Sequence, residues 1–548
     1  MVFTLHRYVL RDLLRHFTVA TVVLSVVLGL GVMLRPLRDF SMDPVKVPML
    51  IVYTLPITLT MVLPVAALLA ATLVYGRLAA DNEINACRAS GISLGSLVYP
   101  AAAFALLVGM ATLLLAFHAI PSVTGRFEKL IRTDAQAIIF RNIERNGNLG
   151  GLFGDLRVHA DRADAAARRL DGVALLWLHR GQVEWAVTAE RVLVDFEGAA
   201  AENQILLHLT NAHRVDETQS LSLGAQTLAI PLPSLWRDRV KFKKLGELKA
   251  IQRNPGLFGP VAQQVEEIRR QVLVERFFQW CDQRLAGGEE LVLPSDSAVL
   301  RLKARGCQMQ VPGRQDAQVR AERNRTGRLL PPEAGPLELE LRSTGSPAPS
   351  PRLYRAEEGY FTVVGQTERT TAVLTLENLR WRYADETADH GLLRSDVARV
   401  PPPTPLVEQA QALAWNDLDG TASLEQATGL AHPSPYLRRL GENLLAEGQE
   451  LATGIVLELH ARLAFGVSCV VLVLLGAALG IVCRSSHLLA AFGVSFIPAA
   501  LCLISIFTGK HIAEQSRAGV LGGIVFLWAG IALLAAANAA VYRRLLRQ

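Results

Sequence analysis

The chain has 548 residues, of which 51% are hydrophobic and 19% charged, with a net charge of +6. Long uncharged runs rather than total length decide the class, and they exclude an ordinary soluble protein. The positive balance calls for no nucleic acid, because arginines that anchor membrane segments account for much of it.

Taken in chain order, six segments are long enough to cross a bilayer of about 30 Å, which takes roughly 20 apolar residues. They are 17–34, 49–75, 97–120, 463–482, 488–508 and 520–541. Arg7, Arg11 and Arg15 precede the first, and no small-residue cleavage site follows it. It reads as an uncleaved anchor. Lys and Arg resist translocation, so they set orientation. An inside N-terminus puts Arg7, Arg11, Arg15, Arg77, Arg88, Arg484, Arg543, Arg544 and Arg547 in the cytoplasm, against Arg35, Arg38, Lys46, Lys510 and Arg517 in the short outer loops. The C-terminus then returns to the cytoplasm, and everything from about residue 121 to 457 lies outside it.

Between the second and third segments stands "LAADNEINACRASGISLGSL", residues 78–97, with a G-x-S-x-G match at Gly91, Ser93 and Gly95. A serine-hydrolase elbow needs a strand before the serine and an acid and a histidine later in a soluble sheet. Here a membrane segment follows within a few residues, so Gly91 reads as a helix C-cap and Ser93 or Ser96 as the next N-cap. On a helical wheel Ala80, Ile84 and Cys87 share one side and Asp81, Asn85 and Arg88 another, with Glu83 at the edge. Two readings stand: an amphipathic helix offered to a motor protein, or a capped loop at the lipid surface.

The external region opens strand-rich. In "QVEWAVTAERVLVDF" Val183, Trp185 and Val187 share a face, and in "NQILLHLTNAHRV" Ile205, Leu207 and Leu209 do. Short strands separated by turns predict a sandwich or jelly roll. Val261, Val265, Ile268, Val272 and Val274 then form a helical stripe, followed by further strands in "EELVLP", "AVLRLKA", "LELELR", "GYFTVVG" and "TAVLTLENLRWRY". "GSPAPSPR" and "PPPTP" read as loops, and the pattern turns helical again from 406 to 457.

The chain carries no phosphate loop, no H-E-x-x-H and no paired Cys-x-x-Cys. No cofactor or metal site is expected. The apolar segments are nearly free of charge away from their ends, which disfavours a self-contained ion-coupled transporter. Cys87 and Cys483 fall in cytoplasmic loops, and Cys469 and Cys502 in membrane segments. Cys281 and Cys307 are external, either as a disulfide or as two free thiols. Arg35 and Arg38 stand at the outer end of the first segment, where solvation or pairing with Asp39 is the default; alternatively they hold anionic head groups, with Lys46 adding to the patch.

"RYVLRDLLRHF", "YTLPITLTMVLPVAALLAATLVYGRLAADNEINACRASGISL" and "LELHARLAFGVSCVVLVLLGAALGI" together resemble the LptF/LptG (YjgP/YjgQ) permease family, over roughly the first 235 and last 95 residues. The resemblance implies a membrane α-helical fold of six transmembrane helices, 3+3, with an inserted extracytoplasmic β-jellyroll-like domain, in the bacterial inner membrane. It implies lipopolysaccharide export with a second permease of the same kind, as a homo- or heterodimer, on a dimeric cytoplasmic ABC ATPase that uses the ATP, and delivery to a periplasmic bridge protein. It assigns ATPase coupling to the helix at about 78–90, whose acidic residue matches Glu83, and lipid binding to positions similar to those of Arg35 and Arg38; beside these, the candidate coupling residues on the same stretch are Asp81, Ile84 and Arg88, and Lys46 is a further candidate for lipid binding.

The expected layout is membrane helices 1–3 in 1–120, a jellyroll in 121–262, an extra strand-rich insertion in 263–405, a helical return in 406–457 and membrane helices 4–6 in 458–548. Two competing readings are a membrane-anchored adaptor with a large external binding domain, and an intramembrane hydrolase using Ser93.

Overall fold

The structure is a computed structural model. It describes the chain apart from residues 1, 41–46, 124–139, 141–142, 145–146, 154–155, 180–181, 196–203, 216–219, 232–238, 296–297, 310–324, 333–334, 344–349, 365–369, 421–423, 484–487, 516–518 and 548. In several flanking stretches, 32–40 and 47–54 among them, only the backbone is described. The chain divides into two compact units, Met1–Lys249 with Glu450–Gln548, and Ala250–Gln449.

The first unit holds the apolar helices: α1 (Val2–Phe40), α2 (Val47–Ala80), the short α3 (Glu83–Ala89) and α4 (Leu94–Leu114), then the membrane parts of three later helices. Six are long and apolar enough to cross a membrane: Phe3–Gly31, Leu55–Ala80, Leu94–Val123, Pro435–Cys483, Gly493–Ala513 and Gly519–Arg547. All six expected segments are present. The first begins well before residue 17, because the polar face of "FTLHRYVLRDLLRHF" is itself helical and packs Val9 and Leu13 into the bundle.

Between these helices lie strands β1 (Asn148–Phe153), β2 (Leu156–Asp164), β3 (Arg169–His179), β4 (Gln182–Asp195), β5 (Gln204–Val215) and β6 (Ser220–Pro231). They form one antiparallel sheet in sequential order, a jellyroll-like domain whose described strands simply meander. Alternation decides its faces. Val158 and Ala160 are buried in β2, Val173 and Leu175 in β3, and Leu207 and Leu209 in β5. The Val187 of the first predicted face is buried as well, whereas the side chains of Val183, Trp185 and Ile205 lie outside the described set.

The second unit begins in α5 (Leu245–Arg253) and is built on α6 (Gly259–Ala286), which carries the predicted stripe Val261, Val265, Ile268, Val272 and Val274, all buried. This helix runs without a break across residues 262–263, where the jellyroll was expected to end. Its strands are β7 (Leu291–Ser295), β8 (Ala298–Lys303), β9 (Gly306–Met309), β10 (Thr326–Leu330), β11 (Leu337–Ser343), β12 (Arg352–Val364), β13 (Thr371–Tyr383) and β14 (His390–Val400). They pair as one antiparallel sheet with main path β14-β13-β12-β11-β8-β7. Phe277, Phe278, Cys281 and Leu285 of α6 pack on Leu300, Leu302, Leu339, Phe361 and Leu374. One face of the sheet is thereby covered by a helix, and the other carries the polar residues.

The chain returns through α7 (Thr404–Ala412) and two short helical turns to α8 (Pro435–Cys483), followed by α9 (Leu488–Gln515) and α10 (Gly519–Arg547). The 49 residues of α8 span about 74 Å at 1.5 Å per residue, more than twice the bilayer core, so the helix extends well beyond its apolar half.

Among membrane helices, close approach replaces the hydrophobic drive, and small residues permit it. On α8, "GAALG" places Gly476 and Gly480 against α2. A Cβ at Gly480 would stand 2.6 Å from the Thr72 carbonyl oxygen, and one at Gly476 2.7 Å from that of Leu68.

Candidate functional site

Two places in the first unit bring polar side chains to the ends of the helical bundle. The first is the junction of α2, α3 and α4. α2 keeps its helical bonding through Asp81, whose N–H donates to the Arg77 carbonyl at 2.9 Å, and then Asn82 turns the chain with φ of 55°. Asparagine tolerates this left-handed conformation better than most residues. α3 therefore begins at Glu83, later than the expected 78, and Ala80 belongs to α2.

The end of α3 shows why Gly91 stands where it does. Its φ is +84°, its N–H donates to the Arg88 carbonyl at 3.0 Å, and the Ile92 N–H donates to the Cys87 carbonyl at 3.0 Å. This pair of bonds is a Schellman cap. Ser93 is then the N-cap of α4, its hydroxyl accepting from the Ser96 N–H at 3.3 Å. The G-x-S-x-G match is thus a pair of helix caps.

Packing fixes the helix to the bundle. Ile84 is 5% exposed and clusters with Val9, Leu13, Tyr75, Leu78, Leu94 and Leu97. Tyr75 on α2 donates to the Leu97 carbonyl on α4 at 2.8 Å, and His6 on α1 bonds the Ser96 carbonyl at 2.9 Å. Arg77 at the end of α2 pairs with Asp12 of α1 at 3.0 Å and donates to the Tyr8 hydroxyl at 2.9 Å. A displacement of α3 therefore bears on three helices at once.

The predicted coupling residues separate accordingly. Asp81 and Arg88 are exposed and Glu83 is half-buried at the rim, as the wheel implies. Among the described residues none of the three side chains has a hydrogen-bond or ion-pair partner. Ile84 points inward and serves as the seat, because a side chain so buried offers no surface to a partner. Of the predicted lipid-binding set, Lys46 lies outside the described residues, and for Arg35 and Arg38 only their place in the last turns of α1 is described.

The second place, at the opposite end of the bundle, was not anticipated from the sequence. Arg462 of α8 donates from Nε to Glu458 Oε1 at 3.1 Å and from Nη2 to the Lys241 and Lys243 carbonyls at 3.0 and 3.2 Å. Its guanidinium lies 5.4 Å from the ring centre of Phe117, in a π-helical turn, Leu115–Ala119, that continues α4. Lys510 of α9 donates to Glu458 Oε2 at 2.6 Å. One carboxylate thus holds two cations, and Arg462 grips the backbone just before α5. Glu458 and Arg462 are four apart, so in sequence they look like an ordinary helix-surface pair. What distinguishes them is burial, with the two side chains 12% and 4% exposed.

The cysteines are all free. Cys281 and Cys307 are buried in the core of the second unit, and burial pushes the Cys307 thiol up to about 12 and that of Cys281 well above its ordinary value. Among the described residues no group of His, Cys, Asp and Glu is arranged to hold a metal ion.

No curated protein matches the chain. A family profile does, described as lipopolysaccharide export system permease LptF/LptG, over residues 7–278 and 352–544. The match includes 263–278 and 352–405, both expected to be extra to the family, and leaves 279–351 unmatched. With most of its length matched, including every apolar helix and the six-stranded sheet, the chain belongs to the LptF/LptG family of lipopolysaccharide export system permeases.

Proposed function

We propose that the chain is the membrane subunit of an exporter that lifts lipopolysaccharide, or a related glycolipid, from the bacterial inner membrane, driven by a dimeric cytoplasmic ABC ATPase and delivering to a periplasmic bridge protein. The carrying observation is α3: a helix seated by Ile84, with the side chains of Glu83, Arg88 and the preceding Asp81 at its rim and unpartnered among the described residues, which suits it to a protein partner. The chain has no phosphate loop, and in this reading ATP is bound and hydrolysed by the partner.

Orientation follows from the basic residues. Arg7 and Arg35 stand on one helix about 42 Å apart at 1.5 Å per residue, which matches a bilayer with its head groups. With the N-terminus and C-terminus cytoplasmic, Arg35, Arg38 and Lys46 meet the outer leaflet, where guanidinium groups suit lipid phosphates. A second permease of the same family, identical or related, completes the lipid chamber. α1 supports this, since only 6% of its apolar window is buried within the chain and Val19, Val23 and Val27 are exposed.

In the working cycle, closure of the motor pushes α3, and with it α1, α2 and α4, so that the chamber narrows and the lipid leaves toward the β domain. Each methylene taken from apolar surroundings into water costs about 0.8 kcal/mol, so a lipid with several chains needs an external energy source. The test is charge reversal, Glu83→Lys, in an export assay with the purified ATPase. Loss of ATPase co-purification and of lipid release is the expected result. Export and assembly at the unaltered level would remove the coupling role, and a chain that never co-purifies with an ATPase would favour the adaptor reading.

A further inference from the structure

The exposed face of the second unit's sheet carries a cavity of about 210 Å³. Two rows of cross-strand neighbours line it. Lys303, Glu338, Arg355 and Arg380 follow one another across β8, β11, β12 and β13, and Arg301, Glu340, Leu353 and Arg382 form the adjacent row. Some of these charges are matched: Lys303 pairs with Glu290 at 3.0 Å, Arg355 with Glu338 at 3.3 Å, and Glu340 with Arg342 at 3.1 Å. Arg301, Arg380 and Arg382 have no partner among the described residues, and neither has Asp389 at the rim.

The register contains a conflict. Arg355 and Arg380 stand directly opposite each other on neighbouring antiparallel strands. Like charges in that relation destabilise a sheet. Folding alone gives no reason to place a third arginine, Arg382, two residues along on the same face. An anion bound between them resolves the repulsion, and the forked guanidinium is the side chain best shaped to hold a phosphate by paired hydrogen bonds.

We propose that this face binds a phosphorylated sugar. The arginines take the phosphate, while the unpaired Asp389 and the rim carboxylate of Glu338 accept from hydroxyl groups. Those same carboxylates would repel a ligand that is anionic throughout, such as an acidic peptide. The cavity is smaller than the roughly 300–1,000 Å³ of sites for drug-sized ligands, which fits one saccharide unit and its phosphate. Arg301, Lys303, Glu338 and Glu340 come from β8 and β11, within 279–351 and outside the family match, whereas Arg355, Arg380, Arg382 and Asp389 lie inside the matched 352–544, so the site is built across that boundary. Its source is either the glycan of the exported lipid, which rests on the permease reading above, or a free sugar phosphate, which does not.

The experiment is titration calorimetry on the full chain purified in detergent, without ATPase. The probes are glucosamine 1-phosphate, glucosamine, inorganic phosphate, a hexaglutamate peptide, and delipidated lipopolysaccharide oligosaccharide before and after phosphate removal. The phosphorylated probes are expected to bind, at least tenfold more weakly to Arg380→Leu and not at all to Arg380→Leu/Arg382→Leu. The melting temperature of Arg380→Leu should not fall, because a repulsion has been removed. Tighter binding of the oligosaccharide assigns the site to the exported lipid, and tighter binding of glucosamine 1-phosphate assigns it to the free metabolite class. Unchanged affinity in the double variant, equal binding of glucosamine, equal binding of inorganic phosphate, or preference for the peptide would each overturn the proposal. None of these outcomes depends on whether the chain exports lipid, which the Glu83→Lys assay reads separately.

Discussion

Arg462 and Glu458 are joined one helical turn apart on α8, Nε to Oε1 at 3.1 Å, with the arginine side chain only 4% exposed. Their pairing is completed by Lys510 from α9 and by two backbone carbonyls before α5. Removing one member of such a buried group leaves uncompensated charge, at a cost of about 3–5 kcal/mol. Glu458→Gln is therefore expected to lower the thermal midpoint of the detergent-solubilised protein clearly. Glu458→Gln/Lys510→Met, which removes a stranded cation, should recover part of the loss, and tryptophan fluorescence during heating measures both.

The close contact of α8 with α2 gives a second expectation. At Gly480 any side chain meets the Thr72 carbonyl oxygen and the Gly76 nitrogen, at 2.6 and 2.7 Å from its first carbon. Since that obstacle is backbone, Gly480→Leu should cost about 1–3 kcal/mol or more through forced separation of the helices. Gly493→Ala, with nothing within 4 Å of the added carbon, is the matched control and should leave the midpoint in place. Equal midpoints for the two variants would contradict the packing described.

Seat and surface on α3 should separate experimentally. Ile84→Asp places an unpaired carboxylate in the cluster of Val9, Leu13 and Leu94 and is expected to detach the helix, lowering the thermal midpoint. Arg88→Ala removes an exposed side chain and should change stability by no more than about 0.5 kcal/mol. Both should weaken co-purification with an ATPase, the second without any structural loss. That divergence is read by comparing melting curves with pull-down yields.

The thiols offer a test of burial in the second unit. The thiolate is the reactive form, and at pH 8 a group held near 12 is ionised to only about one part in ten thousand. Cys307 sits at about 12 because burial disfavours its charged form, and Cys281 is raised for the same reason. Cys483 is exposed. Maleimide treatment of the native protein, followed by peptide mass spectrometry, should modify Cys483 and spare Cys281 and Cys307 until denaturant is added.

Much of the membrane architecture was legible because a run of about 20 apolar residues has few other uses. The strands around Val187, Leu207, Leu300 and Leu374 were legible as period-two runs. What escaped was everything set by contact across the chain. Asn82 looks like one more polar residue until its left-handed φ separates α2 from α3. Ile84 was grouped with its exposed neighbours, although its side of the wheel already pointed inward. Glu458 and Arg462 meet Lys510, 52 residues from Glu458, only in the folded chain, and Arg355 faces Arg380 only through a register that no local pattern encodes.

Contact between α3 and a motor protein is read by a photo-reactive amino acid placed in turn at Asp81 and Arg88, with crosslinking in intact cells. An adduct with an ABC ATPase is expected from both positions and none from Lys244, which lies beyond the opposite end of the bundle. Adducts with lipid alone from the α3 positions, or an ATPase adduct from Lys244, would contradict that contact.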